Sequence, residues 1–346
     1  MNWSRAIYVV FGGAWVALAL VVGPAGADPC TWEGSSHVLP SGPAPGGFTQ
    51  GGGTVWFMTG VDFPGSVEML SFDPWEGTDS LIPDSLCSHW VPAMAFLDGA
   101  VYVISGGNTC VERYTADTGW TAVASLPAVK DGASAEVLDG KIYIFGGYGD
   151  AETYIYDPDV DAWEAAGPAM VHAGGNRAST VHGDCIYAMG GAEAGSDAPG
   201  HDWSERYCLG DTAWEDLAPL PVPRNGARAV TVGDQIYLLG GRSGDSGTVD
   251  NQVWVFDTTP AEDQIWTQHD FPMLKNRFFH AVAVYGVAIY SIGGNGANTG
   301  PTDTIERLIT TSACSDVCDA DVNGDGSVDP LDSGFVSARF GLSCLE

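Results

Sequence analysis

The sequence predicts an all-β protein made of six repeats of four short strands, and three observations predict it. An apolar run ending in two glycines recurs as VYVISGGN at 101–108, KIYIFGGYGD at 141–150, CIYAMGGA at 185–192, QIYLLGGR at 235–242 and AIYSIGGN at 288–295, with a weaker copy, VWFMTG, at 55–60. Tryptophans at 32, 75, 120, 163, 214 and 266 each precede one of these phrases, and the distance to its last glycine is 27 or 28 residues in all units but one. Between the leader and residue 312, no stretch has the spacing of a long amphipathic helix.

Taken in chain order, the first 27 residues read as a secretory signal. Arg5 gives the positive start, residues 6–22 are apolar without interruption, and Ala25-Gly26-Ala27 has the small-x-small form of a cleavage site. No later apolar span is long enough for a membrane helix. The expectation is a mature chain outside the cytoplasm, beginning at Asp28.

Within each repeat the glycine phrase is a strand that is apolar at every position. Ile142 and Ile144 point one way, Tyr143 and Phe145 the other. Such a strand must be covered on both faces, which stacked sheets achieve. After the glycines comes a second strand ending in an aromatic, as in VERYTADTGW, TYIYDPDVDAW and ERYCLGDTAW, and then a turn to the tryptophan. A Pro- or Gly-containing linker leads to a further strand, such as ASAEVLDG or ARAVTVGD.

These features resemble the kelch repeat over residues 30–312. The resemblance implies a six-bladed β-propeller, its sheets arranged radially. Residues 28–312 would form the propeller, and the segment around Trp32 would supply the outermost strand of the last blade and close the ring. The first glycine phrase has Thr59 in place of a glycine, a departure from the pattern.

Residues 313–346 change character. DVNGDGSVDPLD, at 321–332, places Asp321, Asn323, Asp325, Ser327, Asp329 and Asp332 at positions 1, 3, 5, 7, 9 and 12 of an EF-hand-like loop, with Gly326 at the sharp turn. This oxygen-rich set points to Ca2+. With the helix-like SGFVSARFG after it, the segment resembles half of a type I dockerin, which implies docking to a cohesin-bearing scaffold. It departs from the pattern in having one calcium repeat and in its flanking cysteines at 314, 318 and 344. A calcium-stabilised attachment tail is the alternative.

Composition narrows the partners. The chain has 346 residues, 44 acids and 13 Lys or Arg, for a net charge of −31. It would repel a phosphate backbone, so nucleic acid is excluded as a partner. Eight cysteines outside the cytoplasm read as disulfides. Cys185 opens one strand and Cys208 ends its expected antiparallel neighbour, which predicts Cys185–Cys208; Cys87–Cys110 is a second candidate pair.

Basic residues are few, yet Lys130, Arg177, Arg224, Arg228, Lys275 and Arg277 gather in the linkers that enter one strand of each repeat, with His172, Asn176, Asn225, Asn276 and His280 beside them. Equivalent loops of a propeller converge on one mouth. Two readings are open: a pocket for a carboxylate, sulfate or sugar acid, or cations that satisfy loop carbonyls of the scaffold. Loops after Gly191 and Gly241 are longer than their counterparts and are candidate recognition rims. The GDSG tetrapeptide at 244–247 lacks the context of a catalytic serine, and Cys314-x-x-x-Cys318 has no second ligand pair for zinc.

Three functions follow. The first is a secreted interaction module for a glycan or protein. The second is a carbohydrate-active enzyme similar to the kelch-type sialic acid mutarotases, with Glu136 or Glu215 as a conceivable base. The third is a structural component of a cell-surface assembly held through the tail.

Overall fold

The computed structural model describes residues 7–11, 14–18, 32–38, 45–59, 68–74, 77–195, 197–244, 247–259, 265–286, 288–296 and 300–310. The chain divides into two compact units, one gathering residues 1–32, 285–289 and 308–346, the other Glu33–Val284 and Tyr290–Arg307. In the first, Ile7–Phe11 and Ala14–Leu18 pair as an antiparallel hairpin. The expected cleavage site at 25–27, the calcium loop at 321–332 and the cysteines at 314, 318 and 344 lie outside the described residues.

Six four-stranded antiparallel sheets follow, numbered here as blades 1 to 6. Blade 3 is representative: Ser134–Leu138, Lys141–Phe145, Thr153–Asp157 and Ala162–Gly167 lie side by side in chain order. The others open with Pro45–Gly51, Ala93–Leu97, Ala178–His182, Arg228–Val232 and Ala281–Tyr285. In blade 6 the outermost strand is Glu33–Val38, which pairs with Thr304–Ile309 through Glu33↔Arg307, Gly34↔Glu306 and Val38↔Thr304. The sheet count and the closing N-terminal strand match the sequence expectation.

Local chemistry explains the strands. Several hairpins turn through two left-handed residues, Asp98-Gly99 and Asp139-Gly140 among them, and this turn matches the strand twist. The second strand of each blade is covered on both faces; Ile142, Ile144 and Phe145 have no exposed surface. The aromatic ending the third strand packs on the repeat's tryptophan, with centroids 5.1 Å apart for Tyr156–Trp163 and for Phe256–Trp266.

The indoles also explain the long period of the repeat. Trp120 Nε1 donates to Pro83 O at 2.7 Å, Trp163 Nε1 to Ala124 O at 2.8 Å and Trp266 Nε1 to Ala218 O at 3.2 Å. Each acceptor lies just after the last strand of the preceding blade. The tryptophan therefore locks its own blade to the one before.

The glycine pair makes the link to the blade that follows. Gly147 N, Gly191 N and Gly241 N donate to Gly174 O, Arg224 O and Arg277 O, each at the entry to the next blade's first strand. The first glycine of the pair makes room for that carbonyl. A Cβ on Gly240 would lie 2.4 Å from Arg277 O, and its φ of +58° is left-handed.

Both cysteine pairs close as disulfides, Cys185–Cys208 across directly opposed residues of blade 4 and Cys87–Cys110 within blade 2. Among the described residues, no helix is long and apolar enough to cross a membrane.

Candidate functional site

The first strands of all six blades surround one cavity of about 220 Å3. Those of blades 2 to 6 are entered through tight corners, left-handed at Val91, Gly132, Asn176, Gly226 and Phe279 with φ between 49° and 68°. The corners form the mouth of the channel.

Most of the basic residues predicted at this mouth turn their charges into their own blades. Lys130 Nζ donates to Gly146 O, Asp150 Oδ2 and Glu152 O at 2.7–3.2 Å. Arg224 reaches Asp250 and Gln252. Arg277 reaches Gly293 O, Thr304 and Glu306 Oε1, the last at 2.5 Å. Arg177 touches the cavity wall, but its guanidinium serves Glu205 Oε1 at 2.7 Å, Ala188 O and His172 O.

Lys130, Arg224 and Arg277 staple their corners to the segment after the glycine pair, and Arg177 staples its corner to the second and third strands of blade 4. Their partners include a buried glutamate on the third strand, Glu205 or Glu306; in blade 2 Glu112 takes the same place and meets His89 Nε2 at 2.8 Å. The recurring E-R-Y or E-R-L at 112–114, 205–207 and 306–308 is the sequence signal for this staple. His172 bonds Asp216 Oδ1 at 2.9 Å and stacks on Trp203. Lys275 is exposed.

Arg228 is different. Only 8% of it is exposed, it lines the cavity, and its Nε donates to His280 O at 2.9 Å. Its guanidinium lies 5.1 Å from the Phe48 ring centre and 5.5 Å from that of Phe279. Among the described residues no carboxylate pairs with it. Burial pushes its pKa down to about 10, so it still carries a full charge at neutral pH. The fully buried His280 beside it is held neutral by burial and by Arg277 and Arg228.

Among the described residues that line the cavity, one carries a carboxyl group. Glu136, on the first strand of blade 3, lines it and accepts a hydrogen bond from Ser179 Oγ at 2.6 Å. Burial raises its pKa to about 7, against the lowering effect of Ser179. Glu215, the other proposed base, pairs with Arg206 on the exposed outermost strand of blade 4, away from the channel. The rest of the wall mixes the hydroxyls of Thr49, Ser134 and Thr180 with apolar side chains such as Phe48, Met94 and Val230, and Thr180 bonds the Thr231 hydroxyl at 3.0 Å. At the rim, Tyr148 donates to Asn176 Oδ1, Asn176 to Asn225 Oδ1, and Asn225 to Ala198 O on the long loop after Gly191.

Comparison with known proteins agrees with this architecture. The kelch motif model matches residues 131–170 and 223–268. Two of the six repeats thus match the kelch motif. The chain is 32% identical over 227 residues to Kelch-like protein terF of Aspergillus terreus, covering 61% of this chain and 48% of that one. It is 29% identical over 231 residues to human Kelch-like protein 38, covering 62% and 38%. With beta-scruin of Limulus polyphemus it shares 25% over 225 residues, covering 58% and 24%. The chain thus spans less than half the length of these relatives. Among solved structures, YjhT superposes with a TM-score of 0.67 at 16% identity, over 80% of this chain and 97% of that one, a likeness of fold.

Proposed function

We propose that the propeller channel binds a small polyhydroxylated acid, a sugar bearing a carboxylate, with Arg228 as the anion-binding group. One observation carries this reading: a buried guanidinium, held between two aromatic rings and facing the cavity without a carboxylate partner among the described residues. A buried charge is costly unless paired, and a bound carboxylate supplies the missing partner through bidentate bonds. A mixed wall, with the hydroxyls of Thr49, Ser134 and Thr180 among apolar side chains, suits a sugar.

Glu136 favours a second reading, in which the bound sugar is also turned over. A carboxyl with a pKa of about 7 both takes and returns a proton near neutral pH, as opening and reclosing a sugar ring at its anomeric hydroxyl requires. The proposal extends to secretion through the leader at 1–27 and to a calcium-held tail at 313–346 that attaches the propeller to a scaffold.

Calorimetric titration with sugar acids, in calcium and in chelator, tests this. Binding should survive chelation, because none of the proposed calcium ligands is among the residues that line the cavity. Arg228→Ala should weaken it at least 100-fold with the fold retained. Glu136→Gln should keep binding but lose any acceleration of anomerisation. A folded Arg228→Ala variant that binds like the parent would refute the channel as the site.

A further inference from the structure

The inference concerns the rim next to the channel and rests on the channel's being a sugar-acid site. Trp90 leaves 66% of its surface in solvent. It directly precedes Val91, Pro92, Ala93 and Met94, which line the cavity. The residues in the same place before the left-handed corners of other blades are Asp131, Gly175, Asn225 and Phe278. Asn225 belongs to the rim network, and Phe278 lies under the Arg242 guanidinium, 5.4 Å from its ring centre. Among the described residues at this level of the mouth, Trp90 is the large apolar side chain left open to solvent.

The segment carrying it is tightly held. The Cys87–Cys110 disulfide ties it to the third strand of blade 2. Leu86 N and Cys87 N donate to the Glu112 carboxylate at 2.8 and 3.2 Å, and His89 packs against the same group. Trp90 N donates to Gly106 O at 2.9 Å, and Asn108 Nδ2 to Ser88 O at 2.5 Å. A Cβ on Gly106 would come within 2.8 Å of the Trp90 backbone. The indole is thus presented by a fixed backbone, and a binder that needs no ordering keeps more of its contact energy.

We infer that Trp90 is the floor of a second, outer subsite, which holds the sugar adjoining the acid when that acid ends an oligosaccharide chain. Charge decides the order of the two subsites. The unpaired cation, Arg228, is in the channel, so the acidic sugar goes inward and a neutral neighbour leaves across the rim. A pyranose presents an apolar C–H face edged by hydroxyls, and an indole covers such a face while leaving the edge wet. Asp131 lies exposed beside the segment; one of its oxygens takes Gly107 N at 2.7 Å, and the other is placed to accept from sugar hydroxyls.

Calorimetry on the full chain tests this with two kinds of probe: free glucuronate and N-acetylneuraminate, and tetrasaccharides carrying the same acids at their non-reducing ends. The tetrasaccharide should bind at least tenfold tighter than its free acid. Trp90→Ala should remove that gain and leave the free acid's Kd within twofold, and Trp90→Phe should keep most of it. Equal Kd values for chain and free acid overturn the outer subsite while the channel reading stands, as does a Trp90→Ala variant that keeps the gain. No binding of either probe overturns the channel reading and the subsite with it.

Discussion

Arg228 and Glu136 stand out when the first strands are compared position by position. Arg228 is opposite Leu239; the residues in the same register are Gly47, Ala93, Ser134 and Ala178. Glu136, opposite Tyr143, corresponds to Thr49, Ala95, Thr180 and Val230. Two charged side chains thus stand in a ring of small or neutral ones. The carboxyl has a measurable consequence. Its folded pKa, about 7, is above the ordinary 4.5, so the native state keeps a proton that the unfolded chain has released. Stability from this group is present below about pH 4.5 and is lost as pH rises to 7. Glutamine carries no such proton. Thermal melts should therefore show Glu136→Gln gaining on the parent between pH 4.5 and 8, and a pH-independent difference would mean the carboxyl is not held up by burial. Both exceptions were legible in the sequence, in ARAVTVGD set against ASAEVLDG. The scaffold role of the other cations was one of the two readings the sequence offered, but their carboxylate partners, such as Glu205 and Glu306, were not legible, because they lie about 28 residues further on in another strand.

At the scale of the element, the glycine phrase and the tryptophan announced the blades because each does a local job that few other residues could. The strand must be apolar on both faces, and the indole must reach a carbonyl of the preceding blade. What the sequence left open was why two glycines are needed. A tight turn alone would tolerate other residues at modest cost, but Gly240 is both left-handed and pressed against Arg277 O. Gly99 provides the comparison: it is also left-handed, with φ +75°, but nothing lies within 4 Å of its would-be Cβ. Gly99→Ala should cost about 1–2 kcal/mol, the penalty of the backbone conformation. Gly240→Ala should cost clearly more, because it also forces apart the corner that Gly241 N bonds. Urea denaturation of the two variants decides this. Equal losses would assign the recurrence of the first glycine among the repeats to φ alone and leave the blade-to-blade bond with no role in it.

For the whole propeller, the problem is to hold the last blade against the first, since most of the two blades comes from opposite ends of the propeller sequence and a net charge of −31 opposes compaction. On the outside, Glu33–Val38 completes blade 6. At the channel, Gln50 on the first strand of blade 1 acts as a strand rung: its Oε1 accepts from Val284 N at 2.7 Å, and its Nε2 donates to Val284 O. The amide thereby satisfies both backbone groups of one residue of blade 6 across 234 positions of sequence. Gln50→Leu keeps the size and removes both bonds. An orphaned buried polar group costs about 1–3 kcal/mol, so losing the pair should lower stability by a few kcal/mol. The loss should appear as a lower urea midpoint, with a further drop at low ionic strength, where the acidic surface repels itself most. If Gln50→Leu unfolds at the parent's midpoint at both ionic strengths, the seam is held by the outer strand alone, and Gln50 belongs to the channel wall rather than to the closure of the ring.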